Sequence, residues 1–151
     1  MQLDPDVFMQ TAVTGASATR VEQADPGEYT AVIDSLDFDT FEGKSAKSLG
    51  KTFTKLRVKW ALDDEGLKAR LGRDKITVAQ DMFLDITDAG GLDMGRGKNV
   101  SLGRLREAVG QNDASRPWAP NMLTGAVARV KVEHEVVNGE VYARVTGAAK
   151  P

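Results

Sequence analysis

The sequence predicts a mainly β domain, in which five strands and two short helices form a small Greek-key barrel behind an N-terminal arm. Apolar and polar residues alternate along several segments, as in strands that are buried on one face. Asn138-Gly139 separates the last two segments, and this pair favours a type I′ hairpin turn. The 151 residues can bury a core of their own without a disulfide or a metal.

The elements follow from periodicity and from end signals. The predicted strands are 29–38, 53–62, 75–87, 124–137 and 140–146. A helix is predicted over 63–72, because acids open it and Gly72 can end it. A second helix is predicted over 99–110, with Asn99 as its N-terminal cap, Leu102, Leu105 and Val109 on one stripe, and Gly110 as its end.

A helix between the third and fourth of five strands is the arrangement of an OB-type barrel. A β-sandwich is the alternative, although five strands are few for two sheets. Residues 1–27 differ in composition, with much Ala, Thr, Ser, Gly and Gln before the turn signal Asp25-Pro26-Gly27. They are predicted to be a partly flexible arm, and 28–151 the domain.

Composition excludes several classes of protein. The chain has no cysteine, which excludes a disulfide framework, a thiolate zinc site and a cysteine nucleophile. No apolar run is long enough to cross a membrane, so a soluble cytoplasmic protein without membrane contact is expected. The net charge is −2, and about +1 once the arm is set aside, so any nucleic-acid site must be a local patch.

The second strand has two different faces. One face carries Thr54, Leu56, Val58, Trp60 and Leu62, and is predicted to face the core. The other carries Phe53, Lys55, Arg57 and Lys59. Three cations at alternate positions beside an aromatic ring are typical of a surface that binds a nucleic-acid strand. A solvated outer face that lysine keeps soluble is the alternative.

Cations and aromatic rings recur on the outer sides of the other strands. With Ala128, Val130, Val132 and Val136 inward, the outer set comprises Phe83, Arg129, Lys131, Tyr142 and Arg144. Positive groups would follow the phosphates while rings stack on bases, which suits single strands. Glu133 and Glu135 interrupt the pattern at the far end of the fourth strand.

Two loops are expected to add residues to the predicted nucleic-acid-binding surface. The loop 39–52 contains Lys44, Lys47 and Lys51 together with Phe41, and OB folds use this loop to wrap a strand. The loop 89–99 brings Arg96 and Lys98 to the start of the second helix, where backbone amides can bind a phosphate.

Enzymatic alternatives depend on few residues. Asp81, Asp85, Asp88 and Asp93 could bind magnesium in a nuclease, although acids are common at strand ends and turns. His134 is the only histidine, and its position in the strand predicts an inward structural role. No metal, cofactor or catalytic residue is therefore predicted.

Four segments together resemble small phage-encoded single-stranded DNA-binding proteins. They are the run 27–33 (GEYTAVI), the strand 56–62 with Trp60, the end of 99–110 (LREAVG), and the closing strand with Gly125, Val127, Val130 and Val132. The similarity covers about 27–147. It implies an OB fold that coats single strands in the host cytoplasm during replication, recombination or repair, without catalysis. Related proteins often recruit partners through an acidic tail, which the final GAAKP does not provide.

The sequence therefore predicts a non-enzymatic protein that binds and protects single-stranded DNA, with replication or recombination proteins as further partners. It is also compatible with a homo-oligomer. A virion or tail structural β-protein is the first alternative and a magnesium-dependent nuclease the second.

Overall fold

The computed structural model describes residues 2–47 and 49–151, so Met1 of the predicted arm and Ser48 of the predicted loop 39–52 lie outside the described residues. The strands are β1 (Gly27–Glu42), β2 (Thr52–Leu62), β3 (Thr77–Leu84), β4 (Val127–Val137) and β5 (Glu140–Ala149). The helices are α1 (Pro5–Gln10), α2 (Glu65–Leu71) and α3 (Val100–Ala108), and a 3₁₀ turn covers Pro120–Leu123.

The strands close into a barrel in the order β1-β2-β3-β5-β4, with β4 paired to β1. All pairs are antiparallel except β3 and β5, which run parallel where Ala79 lies opposite Arg144. With α3 between β3 and β4, this is the predicted OB-type barrel. The fold class is confirmed, and the β-sandwich is wrong because the sheet closes on itself.

The barrel interior is filled by the apolar face of each strand. On β2, Leu56, Val58, Trp60 and Leu62 are all buried, as the alternation predicts. Trp60 is fully buried, and its Nε1 donates a hydrogen bond to Oε1 of Gln80 at 2.9 Å, so the buried indole keeps a polar partner. Helix α3 adds Leu102 and Leu105 to the same core.

Both predicted helices end near the predicted glycines, but only α2 has a side-chain cap at its N-terminus. Asp64 caps α2 by accepting a hydrogen bond from the backbone N–H of Leu67 at 2.9 Å, and Gly72 ends it with φ +66°. Asn99 precedes α3 with φ +52° and makes no side-chain cap. Its predicted capping role is wrong, because its side chain pairs with the backbone N–H and C=O of Asp85 at 2.8 and 2.9 Å.

The β1–β2 hairpin is longer than predicted, since pairing continues from Asp39 opposite Lys55 to Glu42 opposite Thr52. The predicted loop 39–52 is thus reduced to 43–51. β3 is shorter than predicted and ends at Leu84.

The far end of β4 departs from the predicted burial. β4 pairs with β1 only as far as Val132, so the rest of the β4–β5 hairpin extends beyond the core. Val136, predicted inward, is therefore 68% exposed. His134 is also exposed rather than inward, but it has a structural contact, since its Nε2 lies 2.7 Å from the carbonyl oxygen of Ala24.

The C-terminal end of the arm is fixed to the barrel. Arg70 on α2 forms ion pairs with Glu22, at 2.8 Å, and with Asp25. Gln23 accepts a hydrogen bond from the backbone N–H of Ala143 on β5 at 3.1 Å, and Ala24 is buried in the core. Residues 22–25 are called the arm root below. Further toward the N-terminus, none of the residues of α1 is buried.

Candidate nucleic-acid interface

The outer face of β1, β2 and β3 carries the aromatic and charged residues that the sequence singled out on β2. Strand pairing places Phe41 opposite Phe53, Lys55 opposite Phe83, and Arg57 opposite Asp81. The residues on β2 and β3 have the parity opposite to that of the buried residues, so they lie on the outside of the barrel. Phe41 has the parity of the buried Ala31 and Ile33, but a register shift between Ile33 and Ser35 brings it to the outer face, opposite Phe53. The face divides into an aromatic end and a charged end.

Three phenylalanines occupy the aromatic end, called here the phenylalanine cluster: Phe41, Phe53 and Phe83. Their ring centroids lie 5.8 to 6.1 Å apart, within the range of favourable aromatic pairs. Phe83 is 64% exposed and Phe41 39% exposed, while Phe53 between them is half-buried. The rings line a shallow hollow of about 650 Å³, with Lys44 at its edge.

The charged end is neutralised by acids on the neighbouring strands. Arg57 donates two hydrogen bonds to the carboxylate of Asp81, at 2.7 and 2.9 Å. These bonds lower the pKa of Asp81 and raise that of Arg57. Lys59 forms an ion pair with Asp37 at 2.9 Å. These four residues are called the ion-paired patch.

Lys55 differs from the other two cations of β2. Across residues 2–47 and 49–151 it makes no ion pair, and it lies next to Phe83 on the adjacent strand. The structure thus brings Phe53, Phe83 and Lys55 together and adds Phe41, which the sequence analysis assigned to a loop.

The predicted residues of β4 and β5 lie elsewhere or have other contacts. The guanidinium of Arg144 lies 5.2 Å from the ring centroid of Tyr142, so it covers a face on which a base would stack. Lys131 pairs with Glu133 at 3.3 Å, and Arg129 donates to the hydroxyl of Thr30 at 3.3 Å. In the closed barrel β4 also lies next to β1, but it pairs only with residues 27–32, at the end of β1 far from Phe41, so its cations do not join the phenylalanine cluster.

The predicted loop cations are exposed. Lys44, Lys47 and Lys51 all lie in the β1–β2 loop, and the backbone N–H of Gly43 donates to the carbonyl of Lys51 at 2.9 Å to close its base. Of the three, only Lys44 lines the hollow beside the phenylalanine cluster. Arg96 and Lys98 are exposed in the loop that precedes α3.

The aspartates considered for magnesium mostly have structural partners. Asp85 accepts a hydrogen bond from the backbone N–H of Asn99 at 3.0 Å, and Asp93 accepts one from that of Gly95 at 2.9 Å. Asp81 binds Arg57, as described above. Among the described residues, no group of three or more His, Asp or Glu side chains is placed to hold a metal ion.

A second concave surface, which the sequence analysis missed, lies on the inner side of the extended β1–β2 hairpin. This Trp118 groove has a volume of about 1010 Å³, and its walls include Phe38, Met94 and Trp118. The guanidinium of Arg106 lies 4.2 Å from the centroid of the Trp118 ring, whose Nε1 donates to Gln111 at 2.8 Å. The sequence feature that could have indicated this groove is Trp118, which stands between two prolines in a segment without helical or strand periodicity.

No protein-family model matches the chain, and no curated protein matches it significantly. In the part of the chain that the structure describes, none of the helices has the length and apolarity needed to cross a bilayer.

Proposed function

We propose that the protein binds single-stranded DNA without catalysis, through the phenylalanine cluster with Lys55 and Lys44 beside it. The observation that carries this proposal is the presence of three adjacent phenylalanine rings on the outer surface of the barrel. The rings lie outside the barrel core, and Phe83 stays 64% exposed although the three pack on one another. Exposed apolar groups gathered in one place are typical of a binding surface.

The chemistry of the cluster suits unpaired bases. A nucleobase presents a π-face that stacks on an aromatic ring whatever its sequence, at about 1 to 3 kcal/mol per base. In a duplex those faces are hidden in the base stack, so a single strand is the form that such a surface can bind. Lys55 and Lys44 lie where they could contact the phosphates on either side of stacked bases. OB-type barrels commonly bind oligonucleotides on this part of the fold.

The ion-paired patch limits the electrostatic contribution. Arg57 and Lys59 already hold carboxylates, so neither can neutralise a phosphate without giving up its partner. Binding would then depend mainly on stacking. With two phosphate contacts, from Lys55 and Lys44, the logarithm of the association constant should fall with that of the salt concentration with a slope of about −1.4. The resemblance to phage proteins would place the activity in DNA replication, recombination or repair.

The test is a fluorescence-anisotropy titration of a labelled oligonucleotide and of its duplex, at about 50 and about 200 mM salt. We expect tighter binding to the single strand and a shallow salt dependence. Equal affinity for the duplex, or no binding at the lower salt, would contradict the proposal. Incubation of the same oligonucleotide with Mg²⁺ tests the nuclease alternative through cleavage, and polymerisation of a protein that does not bind DNA would favour the structural alternative.

A further inference from the structure

The N-terminal segment 3–9, here called the acidic-apolar segment, includes most of helix α1 and carries apolar side chains that the described part of the chain leaves exposed. Val7, Phe8 and Met9 are 64%, 61% and 79% exposed, and no residue of α1 is buried. The side chain of Asp4 caps the helix by accepting from the backbone N–H of Asp6 at 3.0 Å. The helix is therefore formed, but its apolar side chains lie in water, as expected of a segment that docks on another surface.

The Trp118 groove has the complementary properties. Phe38 and Met94 are 67% and 77% exposed on its walls, so the groove offers apolar area that nothing in the described chain covers. Arg106 and Arg116 add positive charge, and Asp113, which pairs with Arg116 at 3.6 Å, is the one acid among its lining residues. An apolar groove with an excess of cations suits an apolar helix that carries Asp4 and Asp6.

We propose that the acidic-apolar segment of one copy of this chain docks in the Trp118 groove of a second copy. Phe8 and its apolar neighbours would cover Phe38, Met94 and Trp118. The two aspartates would face Arg106, since Arg116 already pairs with Asp113.

The position of the arm root favours a second copy over the segment's own groove. The hydroxyl of Tyr29 donates to the carbonyl of Asp25 in the arm root at 2.7 Å, whereas Phe38 lies nine residues further along β1, at the groove. Nine strand residues span about 30 Å. The linker between α1 and the arm root has 11 residues (11–21), and a flexible linker of that length has a root-mean-square span of about 18 Å. Reaching its own groove would hold the linker close to its full extension of about 36 to 40 Å, at a cost in chain entropy that a neighbouring groove placed nearer to the segment avoids.

This contact joins two different surfaces, and each copy has one of each. Such a contact closes into a two-fold dimer when two copies exchange their segments, and it gives larger rings or open chains when the exchange is not reciprocal. The groove lies on the inner side of the β1–β2 hairpin and the phenylalanine cluster on its outer side, and the two hollows share Thr54, Leu84 and Ile86 in their linings. The inference does not rest on the proposed DNA binding and can be tested without DNA.

The test is sedimentation velocity of the full chain over a range of concentrations, with one variant of each surface. Phe8→Glu puts a charge in the segment, and Phe38→Glu puts one in the groove. Both sites are solvent-exposed, so neither change should unfold the protein. Each should weaken self-association by about 30-fold or more, the effect of losing a well-packed aromatic anchor. Val13→Glu, at a position 79% exposed in the linker, is the matched control and should associate as wild type.

Mixing the two variants identifies the geometry. Phe8→Glu keeps an intact groove and Phe38→Glu an intact segment, so an equimolar mixture should form a one-to-one dimer and nothing larger. A monomeric wild-type protein, or variants that associate as wild type does, would overturn the proposal. A monomer whose Trp118 fluorescence responds to Phe8→Glu at every concentration would show instead that the segment occupies its own groove.

Discussion

The two ends of the outer face of β2 have nearly the same local sequence pattern and different chemistry. At one end Phe53 packs between Phe41 and Phe83, with Lys55 unpaired among the described residues. At the other, Arg57 and Lys59 each hold an aspartate of a neighbouring strand. Alternation placed all four β2 side chains outside the barrel, but only the pairing of strands decides which of them are available to a ligand.

The difference shows that a stripe of cations is weak evidence for an anion site. Exposed ion pairs contribute about 0 to 1 kcal/mol to folding, so Asp37 and Asp81 stabilise the barrel little. They still neutralise the cations opposite them and keep the outer sheet soluble. The phenylalanine rings stabilise one another by about 0.5 to 1.5 kcal/mol per pair, but Phe83 still leaves 64% of its surface exposed to water. The aromatic end is therefore the stronger candidate site.

The largest effect is expected for a substitution on the inner face of β2, which should impair folding, whereas substitutions on its outer face should impair binding. Trp60 is fully buried, so Trp60→Ala should lower the free energy of unfolding by about 3 to 5 kcal/mol. Urea denaturation measures this loss. If the variant were stable but unable to bind DNA, the inner and outer faces of β2 would have been assigned the wrong way round.

The next largest effect is expected for a substitution in the phenylalanine cluster. Phe83 is 64% exposed, so Phe83→Ala should leave most of the stability intact while binding of single strands weakens by about 1 to 3 kcal/mol, the value of one stacked base. The salt slope should not change, because a ring releases no counterion. Phe83→Leu is the matched control for lost apolar area, and should restore folding stability but not stacking. Full binding by the leucine variant would show that the ring itself is not used.

Most of the barrel could be predicted because its determinants are local. Alternation along β2 and the turn at Asn138-Gly139 depend on neighbouring residues, and both agree with the structure. The extension of β1 to Glu42 could not be predicted, because residues 39–42 are all exposed on a hairpin that leaves the core and so show no alternating burial. The short helix α1 has too few residues for a helical period to be recognised.

The candidate site could be predicted only in part, because it depends on strand register. Phe53 and Phe83 were placed outside by alternation, but their contact with Phe41 requires the pairing of three strands. The same pairing supplies Asp81 to Arg57, which no local pattern indicates. Trp118 lies in an irregular segment, so its groove could only be recognised in three dimensions.

A smaller effect is expected when Lys55, which has no ion pair among the described residues, is compared with Lys59, which has one. Lys55→Ala should reduce the magnitude of the salt slope by about 0.7, the value of one phosphate contact to a single strand. Lys59→Ala removes the same charge from a residue that already holds Asp37, so it should leave the slope nearly unchanged. Anisotropy titrations at several salt concentrations distinguish the two. Equal changes of slope in both variants would mean that the ion pair of Lys59 opens on binding.

A change of equal size and opposite sign should come from releasing Arg57. Asp81→Asn removes the carboxylate but keeps its shape, so Arg57 becomes available and the salt slope should steepen by about 0.7. An unchanged slope would place Arg57 outside the path of the strand.

The same variant has an expected signature in the pH dependence of stability. Arg57 lowers the pKa of Asp81 in the folded protein, so the carboxylate stabilises the fold above its ordinary pKa of about 4. That contribution is lost as the pH falls through the lowered value. The variant should therefore be less stable than wild type by at most about 1 kcal/mol at neutral pH, and the difference should decrease once the pH falls below about 4. Urea denaturation from pH 7 down to about pH 3 measures it. A difference that disappeared between pH 6 and pH 5 would have to arise from another group, because Asp81 remains ionised throughout that interval.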